Sequence, residues 1–525
     1  MMLFVITLNI ITKMSPILRG RTDINIPLGF HVTPMKRLTL ILLSLTSAAF
    51  AQPAAVRKIA SEISTASLRD KLFYLASDKM EGRMMATKGD TLASIFIADW
   101  FKINKLVAPY KNGRSYFQAV TSYKITSKDN LVINGKNYDK PGNWMSSKDF
   151  SSAENTGVLL PFFSDPDSLL KALSNIDTKG KTLVIPSVLL EKTATNETFL
   201  AQLSAKGIVA TMNYGALVDQ FTEYAKKNSF LPQYTDSTGA FGKNLRIGSF
   251  SLTTERMDEL LASDALTVKV YNEIIKTTSR SGILELKTKV SAEVKKSFQK
   301  IQAPNVIGMI KGSDPDADCI VVSAHHDHDG RNGSEIYYGA VDNASGTVAI
   351  MEMAAMMNKA SEKGFRPKRT IIFASFTGEE RGLLGSYYYV DHPITPIKKT
   401  RAIMNIDMMG RVDTIYSGKK ADSSYAYILV KDSLNIGLRA ALFKANDNVR
   451  LKLDTRYEQP QFAQRRIRGS DQYPFYKKGV PFVRIDCGFA KEYHKPEDTP
   501  DKINYALLTK QTQLAFLTLW NMAND

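Results

Sequence analysis

The sequence predicts an α/β fold: a mixed, largely parallel sheet flanked by helices, carrying a smaller inserted α/β domain. Three observations predict it. The runs Ile320–Ser323, Ile371–Phe376 and Ala402–Ile406 are short, rich in β-branched or aromatic residues and bounded by turn residues, as strands buried on both faces are. Segments of helical character separate them, among them Ser345–Lys359 and Gly382–Val390. Each run also ends in a cluster of His, Asp or Glu, and in open α/β sheets ligands sit outside the carboxyl ends of the strands.

With 525 residues the chain exceeds one ordinary core, so two domains are expected. A hydrophobic share of 44% with 23% charged residues fits a globular protein and argues against a disordered one. Residues 36–51, KRLTLILLSLTSAAFA, have the parts of a secretory signal peptide: basic Lys36-Arg37, an apolar core Leu38–Leu45 and a small-residue site Ala49-Phe50-Ala51. Met35 is its natural start. The expected division is an over-extended start at 1–34, the signal peptide at 35–51, and export to the periplasm or medium with the mature chain beginning at Gln52. The apolar core is short for a bilayer span, so no stable membrane insertion is expected after cleavage. Two cysteines, Cys319 and Cys487, are too few for a disulfide framework and read as buried thiols. The net charge of +17 suits anionic envelope surfaces. There is no nucleic-acid motif, and nucleic acid is not an expected partner.

Taken in order, residues 52–121 read as helical and as the first part of the main domain. Leu68, Leu72, Phe73 and Leu75 mark one helix face; Leu92, Ile95, Phe96, Trp100 and Phe101 mark another after a turn at Glu81-Gly82-Arg83. From 122 to 290 the texture changes. Strand-like runs (Gly157–Phe163, Thr182–Pro186, Gly207–Thr211, Leu266–Val270) alternate with helices at Thr198–Lys206 and Thr253–Ser263, and no histidine occurs. This is the expected insertion, shaping access to a site elsewhere. A Lys- and Ser-bearing passage, Ser291–Lys300, returns the chain to the main domain, 291–525, where NVIGMIKGS reads as an edge strand. The Met-rich helix Ser345–Lys359 and a terminal helix Tyr505–Met522 are expected to pack on the sheet.

The polar clusters form one set. His325 has Asp327 two positions on, the spacing of a metal-binding imidazole and the carboxylate that orients it. Asp342 lies in the turn opening a helix, Glu379 and Glu380 follow Ile371–Phe376, Asp407 follows Ala402–Ile406, and His494 follows Tyr493 in a Pro- and Asp-rich loop. Two histidines and three carboxylates suit zinc, and the number fits two ions. If Asp342 bridges, His325, Asp342 and Asp407 hold one and Asp342, Glu380 and His494 the other, leaving each an open position. Four positive charges then balance three carboxylates and a shared hydroxide. Glu379, left over, is the candidate general base. His326 and His328 are expected to point away, because adjacent strand residues face opposite sides.

These segments resemble the di-zinc exopeptidases of peptidase clan MH, family 28. AHHD, VDNASG, TGEERGLLGS, NIDMMG and YHKPEDTPDKI match its motifs in order across residues 304–500, and LASDKMEGR matches more moderately within 68–105. The middle of the chain resembles, more weakly, the protease-associated insertion of some members. The resemblance implies two zinc ions on the ligands just given, Glu379 as base and Asp327 as the orienter of His325. It further implies a cis bond between Asp342 and Asn343, and a Tyr493 hydroxyl that stabilises the oxyanion. The implied activity is an exported aminopeptidase acting on peptides with a free N-terminus. A glutaminyl cyclase of the same fold, or an inactive receptor-like module, is the alternative. Two positions depart from the pattern: Asn343 stands where some members have a second Asp, and Gln472 where His is common, which clouds a role for Asp471.

Overall fold

Alternation builds the central sheet. Along Cys319–His325, Ile320 and Val322 enter one apolar core while Cys319 and Val321 enter a second on the opposite face. Ile371 and Phe373 against Ile372, Ala374 and Phe376 repeat the division, as do Ala402, Met404 and Ile406 against Ile403. A strand sheathed on both sides can be apolar throughout, which is why these runs carry almost no polar residue until they end. The computed structural model describes residues 54–525 except 141, 148–149, 187–188, 190–196, 239–246, 278–280 and 417–423. The expected start extension and signal peptide, 1–51, therefore lie outside the described residues.

Four strands are parallel neighbours: Ile371–Phe376, Cys319–His325, Thr400–Ile406 and Phe482–Asp486. Tyr425–Lys431 runs antiparallel to the last of these and pairs in turn with Lys452–Asp454; on the other side Ile283–Ile310 runs antiparallel to Ile371–Phe376. Register sets the site. Val322 lies opposite Phe373 and Met404, and His325 opposite Phe376, so the loops that follow leave the sheet at one level. Helices Ser345–Glu362 and Tyr505–Asn524, with Thr65–Leu75 and Lys88–Ile103, cover one face; Leu384–Asp391 and Gln472–Lys477 cover part of the other.

Ile283–Ile310 is 28 residues long and serves two cores. Val306 and Ile310 pack in the central one, while Leu286, Val290, Ala292 and Val294 pack with Phe250, Leu252 and Tyr271 in another. Phe117–Ile133 pairs with it antiparallel from Phe117↔Val306 to Ile133↔Val290. Beyond it the sheet continues through Ser152–Pro161, Thr182–Val184, Ala210–Tyr214, Gly248–Leu252 and Trp144–Ser146. Three expectations are corrected here. Asn305–Ile310 is no edge, since it is hydrogen-bonded on both sides. Ser291–Lys300 is strand, not connector. Val268–Thr277 is a helix where Leu266–Val270 read as a strand: Val268, Tyr271 and Ile275 are its buried residues, at helical spacing, and the β-branched run misled. Ile95, expected on a buried stripe, is 44% exposed, and Ile97 is buried in its place. Cys319 and Cys487 are buried and unbridged.

Candidate active site

His325 ends its strand with its imidazole buried among carboxylates. Nε2 lies 3.2 Å from Asp342 Oδ1 and 3.4 Å from Asp407 Oδ1. The other oxygen of Asp342, Oδ2, lies 3.2 Å from His494 Nε2, and that nitrogen is 3.3 Å from Glu380 Oε2. Asp342 thus divides its two oxygens between two clusters: His325 and Asp407 on one side, His494 and Glu380 on the other. Glu379 also reaches His325 and Glu380, since an oxygen of each carboxylate and a nitrogen of His325 lie within 4.8 Å of one another.

The backbone that carries these groups is fixed from behind. The Asp342–Asn343 bond is cis. Asp498 accepts from the amides of Val341 and Asp342, and Asn343 bonds Ile406 O, Gly346 N and Met408 N, tying the turn to the Asp407 loop. The Asp327 carboxylate accepts from the amides of Glu379 and Glu380 at 3.1 and 3.3 Å. It lies 3.6 Å from His325 Nδ1, while the main-chain oxygen of Asp327 is nearer, at 3.2 Å. Asp327 is therefore at least as much an anchor of the glutamate loop as a partner of His325. Arg484 donates to Asp407 Oδ2 at 3.0 Å and to Asp486.

Electrostatics follow from the crowding of anions. Burial opposes charge on Asp342, yet the two imidazoles hold its carboxyl well below the usual range; Arg484 does the same for Asp407. Burial would lower both His325 and His494, but the surrounding carboxylates raise them well above an ordinary imidazole. Burial, with the nearby carboxylates of Glu380, Asp407 and Asp471, pushes Glu379 well up. Burial raises Asp471 to about 7. Tyr493 is raised by burial and by Asp342 and Glu380, so it is a neutral hydroxyl; 37% exposed, it stands where a ligand can reach it. The residues fit bound cations on their own chemistry. His494 Nε2 and Asp407 Oδ1 are buried without a hydrogen-bond partner, and both face the shared Asp342 cluster. Borderline imidazole and hard carboxylate donors in sets of three suit zinc.

Several functional neighbours were not foreseen. His326 does turn away, to Ser375 Oγ at 3.0 Å and Asp90 Oδ1 at 3.1 Å. His328 does not: its Nδ1 lies 2.9 Å from Glu380 Oε1. The alternation rule fails for it because the strand ends at His325. Asp329 bonds His494 Nδ1 at 2.8 Å. Arg83, in the turn after the first helices, is fully buried and donates to the carbonyls of Leu75, His326, Tyr338 and Gly339, pinning the loops on either side of Asp327 and Asp342. Burial lowers it to about 10, still a cation at neutral pH. Only Arg83's place in EGR within the family-like stretch signalled it. Gln472 bonds Asn405 and the carbonyls of Arg466 and Ile467, filling a structural position under Asp471.

Fold and site define a class: α/β proteins with a cluster of imidazoles and carboxylates, able to hold cations, near the carboxyl ends of parallel strands. Residues 305–519 match the model of Peptidase family M28, so this part of the chain is a domain of that family's kind. Aminopeptidase YwaD of Bacillus subtilis (strain 168) is 29% identical over 220 residues, 40% of this chain and 42% of that protein. A glutamate carboxypeptidase 2 homolog of Caenorhabditis elegans is 35% identical over 121 residues, 23% of this chain but 15% of that protein. The chain thus spans less than half the length of either. Among solved structures, an aminopeptidase from Aneurinibacillus sp. strain AM-1 is similar in fold over 89% of this chain and 96% of its own, with TM-score 0.55 and 17% identity. BSAP, a zinc aminopeptidase from Bacillus subtilis, covers 88% and 96% at TM-score 0.50 and 18% identity.

Proposed function

We propose that the protein is an exported zinc aminopeptidase that removes residues from peptides with a free N-terminus. One observation carries the reading: the Asp342 carboxylate faces His325 with one oxygen and His494 with the other, both at 3.2 Å. On this reading His325, Asp342 and Asp407 hold one ion, and Asp342, Glu380 and His494 the second. Bound there, two zinc ions supply positive charge that polarises a peptide carbonyl and acidifies water. The chain's own groups do the rest. Glu379, beside His325 and Glu380, takes the proton of the attacking water and passes it to the leaving amine. Tyr493, a neutral donor, bonds the carbonyl oxygen as it becomes anionic. The substrate's ammonium is drawn to the surplus of carboxylates around the cleft. The aminopeptidase names of YwaD and of the Aneurinibacillus and BSAP structures support the same reading.

The test compares a peptide with its N-acetylated form on zinc-loaded and chelator-treated protein. Release of the first residue from the free peptide alone, lost on chelation and regained with zinc, is expected. Equal cleavage of both forms, or internal cuts, overturns it. Export rests on residues 36–51, and no described helix is long and apolar enough to cross a membrane. Exported material should begin at Gln52 by N-terminal sequencing; a retained Leu38–Leu45 segment would refute it.

A further inference from the structure

We infer that Asp329, braced by Arg381, is a positioning residue for His494, and that with His328 it supports one of the two cation positions and not the other. The inference rests on the two-cation reading above. Asp329 is buried four residues past His325, beyond the end of the strand. Its Oδ2 lies 2.8 Å from His494 Nδ1, and its Oδ1 is bonded by the Arg381 guanidinium. A carboxylate accepts, so Nδ1 carries a proton. Nε2 is then the nitrogen that can turn a lone pair on a bound cation; it lies 3.2 Å from Asp342 Oδ2 and 3.3 Å from Glu380 Oε2, with no other hydrogen-bond partner. His328 acts in parallel: it bonds Glu380 Oε1 and leaves Oε2 on the His494 side.

The first position is supported by other residues. Arg484 occupies Asp407 Oδ2, leaving Oδ1 toward His325, and His325 Nδ1 faces the main-chain oxygen of Asp327. Asp327 and Asp498 brace elements common to both positions, the glutamate loop and the Asp342 turn. Asp329 has its two oxygens on Arg381 and His494. Both flanks of the shared Asp342 are thus built separately, and the second is removable.

The experiment measures zinc stoichiometry and affinity, by elemental analysis and calorimetric titration, on the full chain and on Asp329→Ala, Asp329→Asn and the double variant Asp329→Ala/Arg381→Met. Loss of an outer-shell partner typically weakens metal binding about 10–100-fold. Asp329→Ala should weaken one zinc by about that factor and leave the other at wild-type affinity. Asp329→Asn keeps an acceptor oxygen for Nδ1 and should recover part of the loss. The double variant also removes the arginine that Asp329→Ala leaves buried without its anion, so the same one-site loss should persist in a protein spared that penalty. Two zinc ions at wild-type affinity in Asp329→Ala, or equal weakening of both ions in the double variant, overturn the inference. A wild-type chain that takes up fewer than two zinc ions overturns the two-cation reading itself, and this inference with it.

Discussion

Glu379 and Glu380 are neighbours in one short turn, and the proposed chemistry gives them different duties. Their surroundings already differ. Glu380 Oε1 is bonded by His328 and its Oε2 faces His494, as a ligand's oxygens would be arranged. Glu379 is held by its amide on Asp327, and its carboxyl is pushed well up by burial and by Glu380, Asp407 and Asp471. Glu379→Gln keeps size but cannot accept the proton. We expect turnover to fall about 10²–10⁴-fold while both zinc ions remain. Glu380→Gln, a neutral amide in place of an anionic ligand, should weaken one zinc. Metal analysis beside kinetics separates them: zinc lost from Glu379→Gln alone exchanges the two roles, and unslowed turnover in both sinks the mechanism. At this scale His325, Glu380 and Asp407 were legible as candidates because each ends or closely follows a strand, while Asp342 and His494 lie in a helix-opening turn and a loop. His328, Asp329, Arg83 and Arg484 were not legible, because what they do depends on partners that local sequence does not name; His494, for example, is far along the chain from Asp329.

The apolar strands of the central sheet were the most legible elements, since burial on both faces leaves a continuous apolar run. The ribbon of Phe117–Ile133 against Ile283–Ile310 was not. Its middle stretch carries Lys124, Lys128, Lys295, Lys296 and Lys300, and a strand without an apolar alternation reads as a linker. Glu81-Gly82-Arg83 reads as a turn, and the structure bends there at the end of a short helical stretch, Asp78–Arg83, yet its purpose came only from packing. Gly82 has φ 71°, and a Cβ there would lie 2.1 Å from the carbonyl oxygen of Gly330 and 2.6 Å from that of Tyr337. Gly82→Ala therefore meets both a left-handed backbone and rigid main-chain atoms, beside the arginine that pins the site loops. A loss of more than about 1 kcal/mol is expected, with reduced activity in the folded fraction. Denaturant unfolding checks it, and a wild-type midpoint would mean that the turn yields without cost.

Across residues 54–525, the sheet continues through position 122, within the strand Phe117–Ile133, and that continuity was not legible. Residues 122–290, which we propose as an inserted domain, have their own core around Trp144, Phe250 and Tyr271, yet Tyr234 packs with Met85 and Leu384 outside it. Gln233–Thr235 pairs with Phe117–Ile133, and Tyr234 donates to the carbonyl of Met85 at 3.4 Å. Just before it, Phe230 packs on Tyr337 with ring centroids 5.1 Å apart. Tyr337 is itself near enough to Asp329 for that carboxylate to help raise its phenol, after burial and Glu335. This pair thus joins the insertion to the hairpin Gly330–Tyr337 that directly follows Asp329, and we predict that a peptide longer than its first residues crosses it. Phe230→Ala should raise KM several-fold for peptides of four or more residues, leaving kcat, zinc content and hydrolysis of aminoacyl-amides unchanged. Steady-state kinetics on the two substrate lengths decides it. A fall in kcat for both would assign Phe230 to the fold of the site, and no change for either would remove the insertion from the path of the substrate.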